Sequence, residues 1–158
     1  MKNLIILTIC LFAMGAAFNS CEKNEDLCSS GTDVNLGLIA MDYDFGTCFT
    51  DVGMLNQQYV VRDEATFSEL AFLPHNSSDC ADAQVPAIDF SRYSLLGMYA
   101  EGTCTVFYTR EVTKNEANKT YNYKVSTQEC GFCESLSFSM NWVLIPKIQE
   151  GYTITFGR

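Results

Sequence analysis

The chain has 158 residues, of which 10 are basic and 19 are acidic, so its formal net charge is −9 at neutral pH. This balance argues against binding to nucleic acid, whose phosphates need Lys and Arg, and against lying flat on an anionic membrane. Eight Tyr, eleven Phe and one Trp supply enough apolar surface for a core. The length fits one domain, and phosphate-binding glycine loops are absent.

The first twenty residues have the form of a signal peptide. Lys2 precedes an uncharged, mostly apolar run over residues 4–18. A run of about fifteen residues fits a signal-peptide core and is shorter than the roughly 20 residues of a membrane-spanning helix. Ser20 and Cys21 follow, and the sequence then becomes charged. We therefore predict a signal peptide over residues 1–20, with cleavage before Cys21. Lipid, including palmitate, is then expected to be attached to Cys21.

Two alternatives to lipidation stay open. Signal peptidase I could cut near Ala16 or Ala17 and release a plain secreted protein, or an uncleaved helix could anchor the chain. The run Phe18-Asn19-Ser20-Cys21 departs from the strict lipobox but resembles the relaxed lipoboxes of some Gram-negative anaerobes. This resemblance implies an outer-membrane lipoprotein of the cell envelope. The charged run over residues 22–26 is similar to a surface-export signal, and a solvated linker explains it equally well.

Removal of residues 1–20 leaves 138 residues and a net charge of −10, because Lys2 is lost. Residues 21–34 are polar and without periodicity, which predicts a lipidated tether. Residues 35–158 are then predicted to form one domain.

The predicted elements follow one another along this domain. One amphipathic helix is expected, with Asp63 as its N-cap and with Phe67, Leu70 and Ala71 on the face that packs on a sheet. A polar turn is expected over residues 114–119 and a loop over residues 73–87. The last strand alternates apolar and polar residues, with a period of two. The predicted strands are 35–41, 47–50, 59–61, 94–99, 103–113, 121–128, 138–145 and 152–156, and the predicted helix is 64–72.

These elements predict an α+β fold. Its sheet is expected to be mainly antiparallel and twisted or partly closed, with one short helix packed on it. Disulfides are expected to stabilise this fold.

Six cysteines remain for disulfides when Cys10 leaves with the signal peptide and Cys21 carries lipid. An even number in an exported chain predicts three bridges, and six cysteines allow fifteen pairings. A hairpin with arms 103–112 and 121–129 would bring Cys104 opposite Cys130, which favours a bridge from Cys104 to Cys130 or Cys133. A bridge between Cys28 and Cys48 would follow by elimination, with Cys80 paired to the cysteine left over. The six candidates are Cys28, Cys48, Cys80, Cys104, Cys130 and Cys133.

The motif Cys130-Gly131-Phe132-Cys133 could also be a thiol–disulfide redox pair. Redox motifs of this type open a helix after a strand, whereas the residues that follow here predict a strand. A zinc site would need four ligands, and the other cysteines of an exported chain are expected to be paired. We favour the structural interpretation, so that no metal or cofactor is expected.

For each of the other candidate sites, a structural role is favoured over a catalytic or metal-binding role. His75, the only histidine, is expected to be a solvated loop residue rather than catalytic. Asp42, Asp44 and Asp51 could bind calcium, but their spacing lacks the EF-hand glycine and glutamate, so a surface acidic loop is favoured. Asp89 is expected to cap a turn by accepting backbone N–H bonds before Ser91 and Arg92.

Several short motifs from about residue 57 onwards resemble the PrcB C-terminal-like domain family. They are residues 59–62 (YVVR) before a short helix, residues 88–91 (IDFS), residues 95–97 (LLG) before a hairpin, and residues 143–147 (VLIPK). Extra cysteines and the run Glu101-Gly102-Thr103-Cys104 depart from the family pattern. The resemblance implies an accessory lipoprotein of a protease complex, with no catalytic residues to transfer.

The sequence thus predicts a non-enzymatic, membrane-anchored lipoprotein that binds a partner protein of the envelope or cell surface, such as a protease. Two alternatives remain. One is an exported oxidoreductase that uses Cys130 and Cys133. The other is a glycan- or small-ligand-binding module that uses exposed tyrosines and Trp142, although the apolar strand around Trp142 favours a place in the core.

Overall fold

The computed structural model describes residues 31–44, 49–50, 57–70, 73–74, 86–131 and 134–158. Residues Thr32–Arg158 form one compact unit, and of the residues before it only Gly31 is described. The predicted signal peptide and Cys21 therefore lie outside the described residues.

Most of the described chain lies in two four-stranded sheets. The first sheet has the strand order β1-β7-β8-β10, the second has the order β2-β9-β6-β4, and β3 and β5 form a separate pair. The strands are β1 (Val34–Gly37), β2 (Met41–Asp42), β3 (Phe49–Thr50), β4 (Gln58–Val61), β5 (Leu73–Pro74), β6 (Tyr93–Thr103), β7 (Thr105–Asn115), β8 (Thr120–Cys130), β9 (Leu136–Pro146) and β10 (Thr153–Gly157), and the helix α1 is Glu64–Ser68.

The α+β prediction, with mainly antiparallel strands and one short helix, is confirmed for the described residues. The strands nevertheless divide between two sheets instead of forming one. Two of the pairings are parallel, β1 with β7 and β10 with β8. Local periodicity carries no information about which strand pairs with which, so the sequence could not predict these two pairings.

Apolar side chains from both sheets pack against each other and form the larger core. Alternate residues of β6 and β9 meet alternate residues of β7 and β8, as the period of two along a strand requires. This cluster contains Leu96, Met98, Ala100, Tyr108, Val112, Tyr121, Tyr123, Val125, Val143, Ile145 and Ile148.

The opposite face of the second sheet is covered by α1 and nearby segments. Phe67 of α1 is buried there with Leu95 and Trp142. Trp142 is 6% exposed, which confirms its predicted place in the core. Gly97 makes room for the indole, because a Cβ at that position would lie 2.3 Å from a Trp142 ring carbon.

The N-cap of α1 is the one that the sequence predicted. The carboxylate of Asp63 accepts a hydrogen bond from the backbone N–H of Thr66 at 2.8 Å, and this bond lowers the pKa of the Asp63 carboxyl. The helix ends at Ser68, four residues earlier than predicted. The backbone N–H of Leu70 donates to the Phe67 carbonyl, an i to i−3 bond that tightens the chain after the last turn.

A single residue, Cys104, carries the chain from the second sheet to the first. It links β6 to β7 with a φ of 61°, a left-handed conformation that non-glycine residues seldom adopt. The hairpin of β7 and β8 pairs Thr105 with Cys130. The prediction that Cys104 lies within a residue of the position opposite Cys130 is therefore confirmed, and so is a turn at residues 116–119.

The short motifs near β4, before β6 and after β9 meet at one end of the second sheet. The ammonium of Lys147 donates to the backbone carbonyls of Arg62 at 2.7 Å and Phe90 at 2.6 Å. Asp89 accepts a hydrogen bond from the backbone N–H of Ser91 at 3.0 Å, which confirms that it caps a turn. These contacts give structural roles to Lys147 and Asp89, and membership in the PrcB-like family stays a prediction.

Candidate interaction surface

The described part of the predicted cysteine set consists of Cys104 and Cys130. Cys130 is 5% exposed at the end of β8, and the chain enters β9 within six residues of it. Which cysteines pair stays a prediction. The other candidates, Cys28, Cys48, Cys80 and Cys133, lie outside the described residues, as do His75 and Asp51.

The strand β1 has an unusual arrangement of side chains. Its register places Val34 beside Thr109 and Leu36 beside Glu111 of β7. Because Arg110 and Val112 are buried between the sheets, their neighbours Thr109 and Glu111 point away from the core, and so do Val34 and Leu36. These two aliphatic side chains are 39% and 45% exposed.

The chain after β1 crosses from the edge of the first sheet to the edge of the second. The backbone N–H of Leu38 donates to the Val112 carbonyl, and that of Ala40 donates to the Leu144 carbonyl, both at 2.8 Å. Leu38 and Met41 are 37% and 49% exposed. We call the segment that carries these four exposed aliphatic residues, Val34, Leu36, Leu38 and Met41, the apolar edge. Val34 and Leu36 share the outer face of the first sheet, whereas Met41 is paired with Leu144 and lies on the α1 side of the second sheet.

Gly37 allows the segment to turn at this point. Its φ is +73°, and a Cβ there would lie 2.1 Å from the carbonyl oxygen of Val112. Only glycine combines this backbone conformation with such a close approach. Gly37 therefore ends β1 and directs the chain towards β2.

A buried arginine holds the inward side of the same segment. The Arg110 side chain is 10% exposed, and its guanidinium contacts Asp33 Oδ2 at 2.6 Å and Asp42 Oδ1 at 3.4 Å. Its Nε donates to Asn141 Oδ1 at 2.8 Å. Asn35 donates to the Asp42 carboxylate at 2.7 Å. One guanidinium thus joins both ends of the segment to the interior.

Two tyrosines line the surroundings of Arg110. The Tyr123 hydroxyl donates to the backbone carbonyl of Asn141 at 2.9 Å, and burial raises the pKa of Tyr123. Burial, together with the nearby Asp33 carboxylate, raises the pKa of Tyr108. Both phenols therefore stay neutral, and the charge in this region belongs to Arg110 and its two carboxylates.

Calcium binding at Asp42 would compete with existing contacts, because the Asp42 carboxylate already accepts hydrogen bonds from Arg110 and Asn35. Within the described ranges, no group of three or more His, Cys, Asp and Glu residues is placed to hold a metal ion.

A small open pocket lies elsewhere, beside the C-terminal part of β6 and the middle of β8. Its volume is about 210 Å³, which is below the roughly 300 Å³ at which drug-sized ligand sites begin. Its lining consists of Ala100, Glu101, Val125, Ser126, Thr127 and Arg158.

The sequence analysis missed the two features that define this surface. Residues 35–41 were predicted as a strand, but nothing indicated that its aliphatic side chains point outward. Asp33 was placed in the tether, although its carboxylate accepts a hydrogen bond from the backbone N–H of Tyr108 at 2.9 Å. One signal was available: Arg110 alternates with Tyr108 and Val112, which puts a charge on the apolar side of β7.

Comparison with family models, curated proteins and solved structures found no match for this chain. Among the residues that the structure describes, no helix is both long and apolar enough to cross a membrane.

Proposed function

We propose that this protein is an exported lipoprotein that is anchored through Cys21 and acts as a non-enzymatic binding module for a partner protein of the cell envelope. An accessory role in a surface protease complex is the form of this function that the sequence resemblance favours. The observation that carries the proposal is the apolar edge. Within it, Val34 and Leu36 point outward from the first sheet while Asn35, a polar residue, points inward.

The apolar edge supports binding because of its energetic cost. Aliphatic surface in water is unfavourable at roughly 25 cal/mol for each Å². Scattered apolar residues are ordinary on a protein surface, but Val34 and Leu36 are exposed at alternate positions on the same face of one edge strand. A partner that covers them removes this surface from water.

The place of the apolar edge in the chain narrows the choice of partner. Val34 follows Cys21 by thirteen residues, which span at most about 45 Å when fully extended. A chain anchored at Cys21 therefore keeps the apolar edge close to the membrane. The partner is then itself a membrane-associated or surface-bound protein.

The even number of cysteines that remain for disulfides in the mature chain supports export, because disulfides persist in oxidising compartments. We propose that the six cysteines of the mature chain form three structural bridges. Peptide mapping without reduction tests the pairing. A free, reactive Cys130–Cys133 dithiol that reduces insulin would favour the oxidoreductase alternative instead.

The anchor is tested by mass spectrometry of the mature N-terminus and by a Cys21→Ser variant. We expect an acylated Cys21 at the N-terminus of the native protein and loss of the variant from the membrane fraction. A mature chain that begins before or after Cys21 would contradict the anchor.

The binding function is tested by affinity purification from the native envelope after crosslinking. A Leu36→Lys variant should lose a partner that the unchanged protein retains. A Leu136→Lys variant is the matched control, because Leu136 is also exposed, at 58%, but lies on β9. Retention of the same partner by both variants would contradict the apolar edge as the binding surface, and failure of the unchanged protein to retain any envelope protein would contradict the function.

A further inference from the structure

We infer that the apolar edge receives an extended segment of the partner, which adds to the first sheet as a strand beside β1 and carries aliphatic residues flanked by Lys or Arg. This inference rests on the proposed function and specifies its mode of recognition. It is argued from the backbone of β1, its side chains and the charges around it.

The backbone of β1 has hydrogen-bonding groups that no other described strand pairs. Among the described strands, β1 has a neighbour only on the side of β7. Tyr108 and Val112 turn their backbone groups towards β1, since Tyr108 donates to Asp33 and Val112 accepts from Leu38. Because the backbone groups of a strand alternate in direction, Val34 and Leu36 bond to β7. The N–H and C=O of Asn35 then face away from β7, where an added strand would lie.

The side chains of β1 also fit the addition of a strand beside it. Val34 and Leu36 stand on the outer face of the first sheet. In neighbouring strands, side chains on one face lie about 5 Å apart and stabilise the pairing when both are aliphatic. An added strand with aliphatic residues at alternate positions would cover both.

The charges around the apolar edge decide between possible occupants. Asp33 and Asp42 lie at its two ends, their side chains are 41% and 54% exposed, and they share one guanidinium. The compact unit as a whole contains sixteen acidic and eight basic residues. A second copy of this chain would bring like charges together, and an anionic membrane surface would be repelled in the same way. A strand with basic flanks is attracted.

The test uses a peptide probe and the lipidated protein in nanodiscs of neutral lipid. The probe is a fluorescent heptapeptide of sequence KVTVTVK with blocked ends, and its controls are EVTVTVE and KVTPTVK. We expect fluorescence anisotropy to show saturable binding of the basic peptide. Binding of the acidic and proline-containing peptides should be at least tenfold weaker. The affinity for the basic peptide should fall severalfold between 0.05 and 0.5 M salt, about the range over which surface charges become screened.

Two variants locate the binding site. Asn35→Pro removes the outward N–H, whereas Asn35→Ala keeps it, and both lose the hydrogen bond from the Asn35 side chain to Asp42. We expect Asn35→Pro to lose at least tenfold in affinity relative to Asn35→Ala. Amide hydrogen exchange should slow at residue 35 of the unchanged protein when the basic peptide binds.

Three outcomes would overturn the inference. They are equal binding by the two Asn35 variants, equal binding of the acidic and basic peptides, and a stable dimer without peptide that Leu36→Lys dissociates. If the basic peptide fails to bind but Leu36→Lys still loses the native partner, the inference falls and the proposed function stands. If both fail, the proposed function falls as well.

Discussion

The two edge strands of the first sheet, β1 and β10, use opposite arrangements of similar residues. Both are short and both pair in parallel with the hairpin of β7 and β8. In β10, Ile154 and Phe156 turn inward and pack against the core between the sheets, while the threonines turn outward. In β1, Val34 and Leu36 turn outward, and Asn35 turns towards Arg110.

The difference separates residues that hold the fold together from residues that are available to a partner. The apolar side chains of β10 contribute to the stability of the domain. Those of β1 contribute little, because its attachment comes from backbone pairing and from the Arg110 network. Apolar substitutions in β10 should therefore affect mainly stability, whereas those in β1 should affect mainly binding.

The largest effect is expected from Arg110→Met. This change keeps the apolar part of the side chain but leaves Asn141 without its donor and Asp33 and Asp42 without their cation. We expect the free energy of unfolding to fall by about 3 kcal/mol, measured by urea denaturation. Amide exchange should accelerate in β1 before it does in β10.

Lys114→Met is the matched control on the same strand. Lys114 forms an ion pair with Glu116 at 2.6 Å, but the Glu116 side chain is 70% exposed. Surface pairs of this type contribute less than about 1 kcal/mol. If the two substitutions lowered the free energy of unfolding equally, burial of Arg110 would not explain its contribution to stability.

A smaller effect is expected from the pair Ile154→Thr and Leu36→Thr, which places the same residue type on the two edge strands. Thr is well tolerated in strands, so the comparison isolates the loss of apolar packing. Ile154→Thr should lower the free energy of unfolding by about 1.5 kcal/mol. Leu36→Thr should change it by less than about 0.5 kcal/mol and should weaken binding of the partner. Equal destabilisation by the two would mean that Leu36 belongs to the core.

The smallest effect concerns pH at the start of β10. The Lys114 ammonium and the Tyr152 hydroxyl both donate to the Glu116 carboxylate and hold the pKa of that carboxyl below its usual range. A carboxyl with a lowered pKa in the folded state stabilises the fold at neutral pH. This contribution is fully present above the ordinary pKa of a Glu carboxyl and is lost as the pH falls through the lower folded-state pKa.

The Glu116→Gln variant should therefore be less stable than the unchanged protein at pH 7, and the difference should be smaller at pH 3. Urea midpoints at both values measure this difference. Tyr152→Phe, which removes one of the two donors, should give an intermediate difference. A gap between Glu116→Gln and the unchanged protein that stays constant with pH would contradict the assignment.

Much of the fold follows from local sequence signals. The alternation of residues 152–156 predicted β10, Asp63 predicted the start of α1, and the polar run near Glu116 predicted the hairpin turn. Each of these signals depends on residues that are close together in the chain. That is why the predicted helix and most predicted strands are found close to their predicted positions.

The candidate surface depended on contacts that local signals do not contain. Residues 35–41 read as one strand, but Gly37 divides them, because its conformation and its approach to Val112 are set by β7. The pairing of Arg110 with Asp33 joins residues 77 positions apart. Periodicity indicates that a strand has an apolar face, and only the sheet that it joins determines which way the face points.

The attachment of Asp33 has a mechanical consequence for a chain tethered at Cys21. Any pull transmitted along the tether reaches Asp33 before it reaches the hydrogen bonds of β1. Asp33 is held by the Arg110 guanidinium and by the backbone N–H of Tyr108, both on β7. With the proposed anchor at Cys21, tension is passed directly to the central hairpin, and β1 can keep its place while the domain moves.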